Sequence, residues 1–106
     1  MRVTWSKDAK TVLRDTADYL QTEFDGYARR RFLQEAHKTA KLLENSPYMG
    51  KVEPLLATAS NVYRSIVVGR LNKLIYYVDS DHDVVEIVDL WDTRREPQQQ
   101  ANHLFS

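Results

Sequence analysis

Three closely spaced strand-like runs, at 62–68 (VYRSIVV), 71–78 (LNKLIYYV) and 84–91 (VVEIVDLW), constrain this chain most. Each is rich in the β-branched and aromatic residues that suit a pleated, half-buried surface. The first two runs are joined at Gly69-Arg70, where glycine can take positive φ. The second connection, 79–83 (DSDHD), is a polar stretch between apolar segments. Loops of hairpin length force neighbouring strands to run antiparallel, so the runs predict a three-stranded meander. Cations decorate it: Arg64, Arg70 and Lys73 within the meander, Arg94 and Arg95 just after it.

Upstream the period changes. Arg2 to Trp5 alternates polar and apolar residues as a strand does, and Ser6 can then cap a helix whose first turn holds Asp8, favourable near the positive end of the helix dipole. Ala9, Val12, Leu13, Thr16, Leu20 and Phe24 fall on one helical stripe, which Asp25-Gly26 breaks. A second stripe, Ala28, Phe32, Leu33, Ala36, Ala40 and Leu43, runs to about Asn45, and Ser46-Pro47 ends it because the residue before proline disfavours the α region. Residues 47–61 have no clear period and contain Pro47, Gly50 and Pro54, the signature of a surface loop. The expected order is β-α-α-β-β-β, an α+β fold in which a small antiparallel sheet packs against an N-terminal α-hairpin and keeps its other face partly open. Residues 1–97 form a single domain on this reading, followed by a tail at 98–106.

Composition narrows the function. At 106 residues the chain can bury a core unaided, and its lack of cysteine removes disulfides and thiolate metal sites and suits a reducing, cytoplasmic setting. No apolar run reaches membrane-spanning length, and the start MRVTW is too short and strand-like for a signal peptide. The 15 basic and 15 acidic side chains cancel, which argues against gripping a polyanion through overall charge. Their distribution is uneven. Arg29, Arg30, Arg31, Lys38, Lys41 and Lys51 form a basic region with only Glu35 and Glu44, whereas 79–92 holds acids and no lysine or arginine.

The element order, Tyr63-Arg64 opening its strand, the Gly69-Arg70-Leu71 turn, the LIYYV run at 74–78 and above all WDTRREP at 91–97 resemble the RelE/ParE family of bacterial type II toxins. The resemblance covers nearly the whole chain. It implies a toxin neutralised by a cognate antitoxin, with either ribosome-bound messenger RNA or DNA gyrase as target. Those activities share one fold, so the choice rests on site residues. It also admits a homodimer, or a hetero-tetramer with the antitoxin.

A ribonuclease working through the ribose 2′-hydroxyl needs a base, cations for the phosphorane charge and an acid for the leaving oxygen. Arg64 with Arg94 or Arg95 can supply the charge. In RelE-like nucleases the last strand typically runs into a His or Tyr near the arginine; here that stretch reads Trp91, Asp92, Arg94, Arg95, Glu96-Pro97, and the group is missing. Glu86 is the substitute base, and Tyr63, Tyr76 or Tyr77 the substitute acid, although tyrosines in such strands are more often core or rim residues. His37 and His103 read as solvated surface residues and His82 as part of a turn. Arg64 and Arg94 admit two roles, an ion pair with Asp89, Asp92 or Glu86, or a functional cation; the resemblance favours function for Arg64.

Asp79, Asp81 and Asp83 begin like a calcium loop, but Val84 stands where glycine is needed and Leu90 where a bidentate glutamate should be. No cofactor or metal is expected. Arg30, Lys38, Lys41, Lys73, Trp91 and Arg95 are the candidates for binding a target or partner. The missing proton-transfer group and the neutral charge favour a ParE-like toxin that inhibits gyrase by binding it. A messenger-RNA endonuclease using Glu86, Arg64 and Arg94 is the alternative, and a degenerate member that only binds antitoxin is the third reading. An antitoxin supplying a helix and an added strand would cover the sheet edge and a groove beside the helices.

Overall fold

The computed structural model describes residues 1–56 and 61–93. Strand β1 (Arg2–Trp5) leads into helices α1 (Lys7–Glu23) and α2 (Gly26–Asn45). After them come a short strand β2 (Lys51–Val52), a 3₁₀ turn (Pro54–Leu56), and the meander β3 (Tyr63–Val68), β4 (Asn72–Asp79) and β5 (Val84–Asp92). The five strands form one sheet in the order β1-β5-β4-β3-β2. The expected α+β class, helix hairpin and meander are all present. The sheet is mixed, not wholly antiparallel, because β1 runs parallel to β5. Within the expected surface loop, Lys51 and Val52 pair with Ser65 and Arg64. The tail at 98–106 and its His103 lie outside the described residues.

Both helices start on side-chain caps. The Ser6 hydroxyl accepts from the Ala9 amide at 3.0 Å, and the Asp25 carboxylate accepts from the Ala28 amide at 2.8 Å, each satisfying one orphan donor of a first helical turn. Ser6 does more than cap. Its amide donates to the Ile87 carbonyl at 2.9 Å and its hydroxyl to the Val88 carbonyl at 3.3 Å, so the start of α1 is tied to β5.

Val88 is the extra residue of a bulge: Tyr76 pairs with Ile87, but Ile75 pairs with Asp89. One inserted residue reverses the alternation of side chains along the strand. Val85, Ile87 and then Leu90 join the helix-side core, while Asp89 and Trp91 turn to the opposite face. The helix-side core packs Ala9, Ala17, Phe32, Ala36, Ala40 and Leu43 against Val68, Leu74, Tyr76, Val85, Ile87 and Leu90. Alanines let the helices lie close, and each fully buried Leu or Ile contributes about 1.5–3 kcal/mol. A second cluster, Leu56, Tyr63, Ile75 and Trp91, covers part of the other sheet face.

One residue of the expected apolar stripe leaves the core. Phe24 is 70% exposed because α1 ends at Glu23 and Phe24 takes a non-helical cap conformation. Among the described residues no helix is long and apolar enough to cross a membrane. Replacing Ser6 by Ala removes the cap and the tie to Val88 together, and is expected to lower unfolding free energy by about 1–2 kcal/mol. Urea denaturation checks this, and an unchanged midpoint would show that neither bond contributes.

Candidate functional site

Strand register decides which candidate residues can act together. Arg64 pairs with Tyr76 and Glu86 with Tyr77, and consecutive residues of β4 point to opposite faces. Arg64 therefore lies on the helix side of the sheet and Glu86 on the other.

Arg64 is occupied where it is. Its Nη1 donates to the carbonyls of Gly50 at 2.9 Å and Tyr48 at 3.1 Å, and its guanidinium lies 5.3 Å from the centre of the Tyr48 ring. The turn before β2 is thus folded onto Arg64. Gly50 permits this approach: its amide donates to the Tyr76 hydroxyl at 2.9 Å, and a Cβ there would come within 2.6 Å of that oxygen. Glu86 accepts from the Thr4 hydroxyl at 2.8 Å on the opposite face. Arg64 and Glu86, two members of the expected nuclease set, thus lie on opposite faces of the sheet. The third member of that set, Arg94, lies outside the described residues, as does Arg95.

The substitute acids are equally committed. Tyr76 is fully buried on the helix side. Tyr77 is half-buried on the open face, edge-on to Tyr63 with ring centres 5.7 Å apart. Burial raises the Tyr77 phenol, and Glu86, Tyr63 and Asp79 raise it further. Tyr76 is also raised, by burial, against the opposing influence of the Gly50 amide and Arg64.

Two expected partner-binding residues, Trp91 and Lys73, lie at the second core cluster. Trp91 is 2% exposed and its indole donates to Asp89 Oδ2 at 2.7 Å. Asp89 also accepts from the Leu90 amide at 2.8 Å. Lys73 lies 5.6 Å from the Trp91 ring centre and pairs with Glu53 at 2.9 Å. Burial pushes the Glu53 carboxyl up, but hydrogen bonds from Lys73 and Ser65, with the charges of Lys73 and Lys51, outweigh it and hold the group below its ordinary value.

Arg30, Lys38 and Lys41 do reach solvent, along α2. Their neighbours Arg29 and Arg31 are taken up by Asp18 and Glu35. His37 is exposed and edge-on to Trp5. The acidic turn at 80–83 is closed locally, with Asp79 accepting from the His82 amide at 3.2 Å and Asp83 at φ 54°.

The groove expected beside the helices could not be placed by residue from the sequence. Leu20, Phe24, Ala28 and Phe32 of the helix hairpin meet Gly69, Arg70, Leu71 and Asn72 of the β3–β4 turn around an open groove of about 630 Å³, with Arg31 and Glu35 on its rim. The groove is mostly apolar. Beside it, among the described residues, β3 is incompletely covered, since β2 pairs with Arg64 and Ser65 alone and Val67 is 62% exposed. The Gly69-Arg70-Leu71 turn was a visible signal; its meeting with the end of α1 is a tertiary fact.

The described residues form a small α+β domain, a helix hairpin on one face of a five-stranded sheet with an apolar groove at the hairpin tip. The model for the ParE toxin of type II toxin-antitoxin systems matches residues 3–97, and the chain belongs to that family. Among solved structures it is similar to a chain of the chromosomal ParDE toxin-antitoxin system from P. aeruginosa, with TM-score 0.71 and 15% identity over 89% of this chain and 97% of that one. No curated protein matches by sequence.

The Glu53–Lys73 pair yields a pH test. A carboxyl held below 4.5 in the folded state stabilises the fold fully above that value, and the contribution fades as pH falls through the folded-state value. Glu53→Gln is expected to cost about 1–2 kcal/mol at pH 7. Its deficit relative to wild type should shrink in acid, measured by denaturation at pH 7 and below 4.5. A deficit independent of pH would show that the carboxylate charge is not what stabilises.

Proposed function

We propose that this chain is the growth-inhibiting toxin of a type II toxin-antitoxin pair, acting in the cytoplasm by binding DNA gyrase and not by cutting messenger RNA. The observation that carries the choice is the separation of Arg64 and Glu86 on opposite sheet faces, with the Arg64 guanidinium engaged by the carbonyls of Tyr48 and Gly50. A 2′-hydroxyl cleavage needs base and cations around one phosphate. The sequence from Trp91 to Arg95 also contains no histidine or tyrosine. Inhibition by binding requires only a complementary surface.

The antitoxin is the second partner in this reading. The groove between the helix hairpin and the β3–β4 turn fits the apolar face of an amphipathic helix, and the outer edge of β3 beyond Ser65, which no strand among the described residues covers, can accept an added strand. Exposed Phe24 and Leu71 are the anchors, and Arg70 in the groove lining offers a cation to an acidic residue of the segment. Support for an antitoxin also comes from the P. aeruginosa relative, which is described as part of a ParDE system.

Inducing the chain alone in a bacterial host, and assaying plasmid supercoiling and ribosome-bound messenger from the same culture, tests the target. Altered supercoiling with intact messenger is expected. Cleaved messenger with normal supercoiling would overturn the proposal. For the antitoxin, Phe24→Asp is expected to weaken the complex at least 30-fold, roughly the loss of one 2 kcal/mol anchor. Full affinity in calorimetry would place the antitoxin elsewhere.

A further inference from the structure

Along α2, Tyr27, Arg30, Gln34, Lys38, Lys41 and Asn45 recur at intervals of three or four residues. On a helix of 3.6 residues per turn that spacing aligns them in one band. All are exposed, on the side away from buried Phe32, Ala36, Ala40 and Leu43. The band contains no carboxylate. Glu35 and Glu44 flank it, and Glu35 is held by Arg31 at 3.3 Å. Arg29 is held by Asp18, whereas Arg30, Lys38 and Lys41 form no ion pair among the described residues.

We infer that this band is a contact surface for the phosphate backbone of duplex DNA. An aligned row of unpaired cations with an amide donor between them is suited to phosphate oxygens, which are commonly contacted by Arg, Lys and Gln side chains. A protein partner fits less well: interface centres are depleted in lysine and rely on buried aromatic or apolar anchors, and between Arg30 and Lys41 this band has none. Single-stranded nucleic acid fits less well too, because it is gripped by stacking bases on aromatic side chains. The only aromatic residue here, Tyr27, stands at one end.

Length favours the B-form duplex. Arg30 to Lys41 spans about 16 Å of helix axis, against a major groove about 12 Å wide, so the end cations can reach phosphates on both strands. The deep, narrow major groove of an RNA duplex offers no such approach. The contact would be local and independent of base sequence, which is compatible with a net charge of zero over the whole chain. It stands apart from the choice of target enzyme, and its test contains none.

The test is fluorescence anisotropy of the full chain on a mixed-sequence DNA duplex. With the three cations engaged, affinity should fall about 40-fold as monovalent salt rises fourfold. Combining Arg30→Glu, Lys38→Glu and Lys41→Glu should weaken binding at least tenfold at low salt and flatten the salt dependence, with unchanged circular dichroism. The same charge change on α1, through Lys7→Glu, Lys10→Glu and Arg14→Glu, should leave affinity within about twofold. Should the triple α2 variant unfold, Lys38→Gln with Lys41→Gln must still reduce the salt slope by roughly two. Absence of DNA binding would overturn the inference. So would equal loss from the α1 variant, or equal or tighter binding to an RNA duplex or to a single strand. No DNA binding together with weakened antitoxin binding in the α2 variant would assign the band to a protein partner.

Discussion

Ser6 holds the arrangement on which the rest depends. Its amide continues the parallel ladder of β1 onto Ile87, its hydroxyl accepts from Ala9 to start α1, and the same hydroxyl donates to Val88 at the bulge of β5. One side chain therefore fixes where the edge strand stops, where the helix hairpin begins, and how both sit on a central strand paired on each side. Beyond the bulge, Leu90 returns to the helix-side core while Asp89 and Trp91 turn away to the second cluster. The two sheet faces acquire separate roles as a consequence.

That separation sorts the charged residues. Arg64 and Lys73 look like functional cations on a strand ladder, yet each is spent on architecture, one folding the turn at Tyr48 and Gly50 and the other closing the Trp91 cluster through Glu53. Arg29 and Arg31 are similarly engaged by carboxylates. Among the described residues, exposed apolar and cationic surface remains in the groove at the hairpin tip, along the part of β3 that β2 does not pair with, and on the solvent face of α2. These are the surfaces that the proposed protein-directed reading assigns to partners.

The parts of this fold carried by local pattern were legible in the sequence. The alternation of β3 to β5, both helical stripes, and the Ser6 and Asp25 boundaries express propensities and caps that neighbouring residues determine. Non-local features were not. Two exposed residues, Lys51 and Val52, carry too little pattern to announce β2, and the parallel β1–β5 pair joins residues some 82 positions apart. Nothing local marks Val88 as an inserted residue, so the facing of Asp89 and Trp91 could not be assigned beforehand. The same limit explains the candidate site: Arg64 and Glu86 were plausible partners by chemistry, and only the register with Tyr76 and Tyr77 sets them apart.

The most direct measurement is a titration of the purified chain into DNA supercoiling by purified gyrase, run beside its Glu86→Gln variant. A toxin that acts by docking should inhibit supercoiling in proportion to its concentration, and the variant should inhibit equally well because this account gives Glu86, hydrogen-bonded to Thr4 on the open face, no catalytic role. Supercoiling unaffected at saturating toxin, with cleavage of ribosome-bound messenger that Glu86→Gln abolishes, would contradict the account at its centre.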